Sequence, residues 1–221
     1  GVPLRKIDMR KLQEHLIEIG NLPETVLTDK ENFPLPPERV AAAVQSVKDK
    51  FKGVAVLLAQ PEDALPLLKK AYAEADKPED KLTYARILAV LGDATGVDTL
   101  SAEVRRINEW DKGWDYRGMG QFGTALSPLD QLIVALGRTG DPKAVPVILE
   151  KAKLLTAESE FSHHRAVGLA LELIGDRSAA RPLAGMLTEP DMSGYVHDTV
   201  EEARRRDQES PGGTNAVRPR R

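Results

Sequence analysis

The residues best equipped for chemistry fall in two short stretches. Asn108 to Ser127 reads NEWDKGWDYRGMGQFGTALS and carries Trp110, Trp114, Tyr116 and Phe122. The chain has only 2 Trp, 4 Tyr and 4 Phe, so both tryptophans and four of the ten aromatics lie here. Asp111, Asp115 and Arg117 interleave with them. Trp, Tyr and Arg concentrate binding energy at protein interfaces, which makes the stretch a candidate recognition surface. A loop pinned by its own tryptophans, with Asp–Arg pairs holding its turns, accounts for the same residues. Both readings stand at this point. Gly118 to Gly123 also matches G-x-G-x-x-G, the dinucleotide fingerprint, whose chemistry needs a strand before it and a helix opening at it. Trp110 to Arg117 is polar and aromatic with four charges and no strand pattern, so the glycines are read as letting a tight loop turn.

The second stretch is Ser162-His163-His164-Arg165. Ser162 is read as the N-cap of a helix. Adjacent helical residues point about 100° apart, so His163 and His164 cannot share a metal on one face. The other histidines are His15 and His197, and no H-x-x-x-H or H-E-x-x-H spacing exists. The expected role is a helix-start histidine touching the neighbouring loop, with Arg165 free to grip a carboxylate bidentately, within the chain or across an interface. Cys 0 removes thiolate ligands, disulfides and cysteine nucleophiles. Glu201 to Arg206, EEARRR, reads as a solvated helix end. No paired carboxylates, Ser/His/Asp arrangement or phosphate loop stands out, so no catalytic residue, cofactor ligand or metal ligand is expected in this chain.

The elements that must position these residues repeat. Gly92-Asp93, Gly140-Asp141 and Gly175-Asp176 each follow an apolar helical stretch. Glycine stops a helix where φ turns positive, and aspartate caps the next one. Ala64-Leu65-Pro66, Gly96-Val97-Asp98, Ala144-Val145-Pro146 and Ala180-Arg181-Pro182 occupy equivalent slots, each proline expected inside a second helix, which it bends. Apolar stripes agree: Tyr84, Leu88, Leu91; Leu129, Leu132, Ile133, Leu136; and Ala166, Leu169, Ala170, Leu173 in first helices. The second helices give Val97, Leu100, Val104; Val145, Ile148, Leu149, Ala152; and Ala180, Leu183, Ala184, Leu187. Val54 to Leu58 fits a first helix better than a strand. The fold expected is all-α, an α-α superhelix (a right-handed solenoid) of about four helical hairpins.

Residues 38–200 form that repeat domain, with 108–127 inserted. A loop of about 20 residues without secondary structure usually serves function or is disordered. Its aromatic content argues for packing. Residues 1–37 hold an amphipathic helix from Asp8 to Gly20 and a connector, read as the end of an upstream domain. Residues 201–221 form a charged tail, expected to be mobile. The balance of Lys+Arg 31 against Asp+Glu 34, net charge −3 and pI ≈ 5.9, argues against nucleic acid as a partner. The longest apolar run, Val54 to Ala59, is far short of the roughly 20 residues that cross a bilayer, so no membrane span is expected. The chain opens on Gly1 without a signal-peptide pattern.

The unit L-G-x-x-G-D-P-x-A-V-P-x-x-L at Leu136 to Leu149 resembles the HEAT-like repeats named after phycobilisome lyases, over about residues 54–190. That resemblance implies the fold and leaves function open, since such repeats serve scaffolds, lyases and accessory domains. Three further stretches are similar to the C-terminal extension of bacterial FAD-dependent oxidoreductases: GVPLRKIDMRKLQEHL (1–16), WDKGWDYRGMGQFG (110–123) and EFSHHRA (160–166). The family's FAD fingerprint is absent from this chain. The resemblance therefore implies a flavin site upstream of Gly1 and a chain that is part of a longer protein, non-catalytic alone. Trp110, Asp111, Trp114, Tyr116, Arg117, Phe122, His163, His164 and Arg165 would then face the flavin domain or its substrate entrance. The alternatives are a stand-alone scaffold for protein–protein interaction and, third, a HEAT-like enzyme such as a chromophore lyase or base-excision glycosylase.

Overall fold

The computed structural model describes residues 34–111, 126–157, 159–186 and 188. Among them are nine α-helices and two single 3₁₀ turns, with no strand. The helices are α1 (Pro37–Ser46), α2 (Val54–Ala59), α3 (Pro61–Glu74), α4 (Pro78–Val90), α5 (Val97–Arg106), α6 (Pro128–Arg138), α7 (Ala144–Ala152), α8 (Phe161–Ile174) and α9 (Ala180–Met186). Four of them, α1, α3, α4 and α6, begin on a proline. A first-position proline gives up an amide that has no helical partner, and its fixed φ suits the helix. The expected Asp8–Gly20 helix, the bulk of the 1–37 connector, Leu187 and the 201–221 tail lie outside the described residues.

The Gly-Asp steps close three helices alike. Gly92, Gly140 and Gly175 take φ of 77°, 63° and 69°. Asp93, Asp141 and Asp176 each accept the amide two residues on, from Thr95, Lys143 and Ser178, all at 2.9 Å. After Asp93 and Asp176 the chain makes one 3₁₀ turn before the second helix. The prolines lie in second helices as expected, but two of the three cost no helical hydrogen bond. Pro146 and Pro182 are third in α7 and α9, where the amide is an orphan, so no hydrogen bond is lost. Pro66, sixth in α3, stands past the first turn.

Two apolar clusters meet on α4. Its Tyr84, Ile87 and Leu88 join α1–α3, while Ala85 and Ala89 join the cluster of α5–α8. α4 packs on α6 and α6 on α8, and α5 packs on α7. The α6–α8 approach is the closest: a Cβ on Gly137 would lie 2.4 Å from the Ala170 Cα. The α6 stripe is buried as expected. In α8 the buried face turns to His163, Ala166, Val167, Ala170 and Leu171, leaving Leu173 40% exposed. α9 buries none of its residues, and Ala179 just before it is buried instead. As the last helix described, α9 has no later neighbour among these residues to cover its outer side.

Candidate functional site

The insertion between α5 and α6 has two described arms: Ile107 to Asp111, leaving α5, and Leu126-Ser127, entering α6. The entry arm is anchored on α7 and α8. Trp110 is 9% exposed, and its indole N–H donates to the Lys151 carbonyl at 3.1 Å. Its ring lies 4.7 Å from the His163 ring, tilted by 31°. Lys151, itself buried, returns its ammonium to the Ile107 carbonyl, and burial lowers its pKa.

The exit arm is a capping box. The Asp130 amide donates to Ser127 Oγ at 3.1 Å, and the Ser127 amide donates to Asp130 Oδ2 at 3.2 Å. Both side chains are fully buried. Asp111 ties the arms together: its carboxylate accepts Ser127 Oγ–H at 2.6 Å and the Leu129 amide at 3.1 Å. His163, 2% exposed, closes the ring of contacts. Its Nδ1 is 2.7 Å from Asp130 Oδ1, and its Nε2 is 2.9 Å from the Asp111 carbonyl oxygen. Gln131 steadies the exit arm by donating to the Leu126 carbonyl at 3.0 Å while accepting Arg86 at 2.8 Å. The Arg86 guanidinium also lies over Phe51, 4.8 Å from its centroid, and burial pushes its pKa down to about 10.

Both nitrogens of His163 therefore face oxygen acceptors, and a carbonyl can only accept. The arrangement calls for the imidazolium. Burial alone would push the His163 pKa down. The hydrogen bond and charge of Asp130, the Asp111 carbonyl and Glu160, 3.9 Å from Nε2, outweigh it and raise the pKa above 6.5. His164 is the reverse: burial lowers its pKa, and its Nε2 meets the Thr156 carbonyl at 3.1 Å.

Serine, histidine and two aspartates thus do come together, a grouping the sequence did not reveal. It cannot run triad chemistry. The Ser127 hydroxyl donates to Asp111 instead of the imidazole, it is sealed from solvent, and Nε2 ends on a carbonyl where a nucleophile would have to sit. What the ring can do is hold: it fixes both ends of the insertion to α6, α7 and α8.

Of the sequence candidates, Trp110, Asp111 and His163 converge here. His164 points to the α7–α8 connection, and Arg165 is exposed, with no acid paired to it among the described residues. Trp114, Tyr116, Arg117, Phe122 and the glycines of 118–123 lie outside the described residues. Ser162 is not the cap: α8 begins at Phe161 after Glu160, and Ser162 Oγ is buried without a hydrogen-bond partner among the described residues. Ser127, Asp130 and Lys151 went unnoticed in the sequence. For the first two a signal was present, S-x-x-D with proline at the first helical position.

No group of three or more His, Asp or Glu among the described residues is arranged to hold a metal. No described helix is long and apolar enough to cross a membrane. Two depressions among the described residues measure about 240 Å³, bounded by Arg105, Asn108, Val147, Glu150, Lys151 and Leu154, and about 280 Å³, beside Gly168 and Leu183. Both are open and below the roughly 300–1,000 Å³ typical of ligand pockets. Compared with protein-family models, with curated proteins and with solved structures, the chain matches none.

Proposed function

We propose that this chain is a non-catalytic recognition domain that presents its 108–127 insertion from a rigid helical base. The base is an α-α superhelix of four hairpins, α2–α3, α4–α5, α6–α7 and α8–α9. Supporting this are the repeated Gly-Asp junctions and the succession of contacts from α4 to α6 to α8. The observation that carries the functional reading is the closed ring of Asp111, Ser127, Asp130 and His163. It spends buried polar groups on the two ends of one insertion, and unpaired buried polar groups are costly.

The resemblance to the HEAT-like extension of bacterial FAD-dependent oxidoreductases supplies the partner: an upstream flavin domain of the same polypeptide, which would hold the FAD. Trp114, Tyr116, Arg117 and Phe122 are then the contact residues, with Trp110 and His163 as their foundation. The native polypeptide isolated from its source tests this. A mass well above 24.2 kDa with bound-flavin absorption is expected. A colourless 24.2 kDa protein overturns the appended-domain reading and puts the stand-alone scaffold in front. In the holoprotein, alanine at Trp114 and Phe122 should weaken docking by roughly 30-fold, the effect of losing a hot spot. Unchanged docking and activity would remove the insertion from the interface.

A further inference from the structure

We infer that His163 is a proton-operated latch on the entry arm of the insertion. It holds the Asp111 carbonyl against α8 while the imidazole is charged and loosens that hold when the proton leaves, with the arm's contacts to Ser127, Leu129 and Lys151 still in place. The inference concerns regulation of the site proposed above and rests on that reading for its consequence alone.

A neutral imidazole carries one N–H and one lone pair. If the proton stays on Nε2, the Asp111 carbonyl keeps its bond and the Nδ1 lone pair faces the Asp130 carboxylate at 2.7 Å. If it stays on Nδ1, the Asp130 bond survives and the Nε2 lone pair faces the carbonyl at 2.9 Å. Either tautomer turns one attractive contact into a repulsive one in a sealed place. The softer side is the arm. Asp130 is fixed by the capping box and His163 by its own helix, whereas the Asp111 carbonyl lies on a loop held otherwise through the Asp111 carboxylate, on Ser127 and the Leu129 amide.

The groups around His163 are accounted for element by element. α6 contributes Asp130, the entry arm Asp111, and the turn before α8 Glu160 at 3.9 Å. On α8 itself His164 follows, drawn to Thr156. From α7, Lys151 binds the same arm through the Ile107 carbonyl and takes Trp110 on its own carbonyl. The acids favour the charged ring and no cation among the described residues contacts it, which agrees with the raised pKa.

The test uses the whole chain with Trp114→Phe, leaving Trp110 as the sole tryptophan. Ring signals of the histidines are followed by NMR from mildly acidic to mildly alkaline pH, together with Trp110 fluorescence. His163 should titrate above 6.5 and His164 below it. Trp110 fluorescence should change with the His163 midpoint, and that component should be lost in His163→Gln and Asp130→Asn. A Trp110 signal flat through the His163 titration, or a His163 midpoint at or below 6.5, overturns the latch. Because an imidazolium 4.7 Å away also quenches an indole directly, hydrogen-exchange protection of the Trp110 indole and Asp111 backbone N–H decides in the parent chain: it must fall as His163 loses its proton, and constant protection overturns the latch. A flat Trp110 with docking intact refutes the latch only. A titrating Trp110 with docking indifferent to Trp114 and Phe122 refutes the recognition reading only.

Discussion

Asp130 is the residue on which the base of the insertion turns, and its replacement has a calculable cost. In Asp130→Ala, His163 loses its counter-charge in a fully buried place, and removing one member of such a pair costs about 3–5 kcal/mol. The Ser127 amide also loses its acceptor, about 0.5–2 kcal/mol for a cap. These groups touch, so the two costs overlap and do not add. The expected total is about 3–5 kcal/mol, a fifth or more of the roughly 5–15 kcal/mol that holds a typical domain together. Asp130→Asn should be milder, about 1–2 kcal/mol. Its amide oxygen still accepts the Ser127 amide, and its NH₂ can donate to Nδ1 of a neutral imidazole whose Nε2–H keeps the Asp111 carbonyl. Urea unfolding followed by circular dichroism measures both. With a slope of about 2 kcal/mol/M, the alanine variant should unfold roughly 1.5–2.5 M earlier. The pH dependence is a second readout. His163 has a folded pKa raised above 6.5, so its stabilisation is complete below pH 6.5 and fades as pH climbs through the raised value. Asp130→Asn should flatten that part of the curve. An alanine variant within about 1 kcal/mol of the parent would refute the reasoning, as would an asparagine variant equally damaged.

Other substitutions probe the frame around this site. Gly137→Ala forces a methyl to 2.4 Å from the Ala170 Cα and should cost about 1–3 kcal/mol in thermal unfolding. Gly168→Ala, on the same pair of helices but facing open space, should instead stabilise by about 0.5–1 kcal/mol. Asp141→Ala removes the acceptor of the Lys143 amide and should lower stability by about 0.5–2 kcal/mol, as read by the urea midpoint. Trp110→Phe keeps a ring beside His163 but strands the Lys151 carbonyl, and should cost about 1 kcal/mol beyond the lost area, with the imidazole titration still present by NMR.

The parts of the fold legible in the sequence are those decided within a few residues. Gly92-Asp93, Gly140-Asp141 and Gly175-Asp176 announce a helix stop and an aspartate that takes the amide two residues on, because such bonds form between near neighbours. Asp93 and Asp176 cap the 3₁₀ turns that follow, whereas the N-cap of α7 is Lys143 and not Asp141. Leu129, Leu132, Ile133 and Leu136 announce a buried face because their spacing matches the helical turn. Whether a face meets a partner is a different question. Ala180, Leu183 and Ala184 have the right spacing, yet α9 buries none of them, and Leu173 stands out of α8 while Val167 and Leu171 go in. Periodicity defines a stripe, and only the neighbouring helix selects which edge of it is covered. α1 was not foreseen, and neither was the loop after it, where Lys50 and Phe51 take φ of 52° and 58° without glycine.

The site shows the same limit more sharply, because every member has a sufficient local explanation. Ser127 and Asp130 are a capping box, Asp111 a polar loop residue, and His163 a helix-start histidine. Their partnership spans 16, 33 and 52 positions, and no motif encodes it. It arises because α6 packs along α8, which sets the start of one helix beside the start of the other. That placement has an electrostatic consequence. The N-terminal end of a helix carries partial positive charge, which welcomes Asp130 and opposes a cation at His163. An imidazolium three residues into a 14-residue helix is therefore unfavourable on its own, and burial makes it worse. Asp130 reverses both penalties, since its charge answers the α6 amides and the His163 ring together. The raised pKa of His163 is then a property of the packing of two helices. Any change that parts α6 from α8, Gly137→Ala included, should lower it.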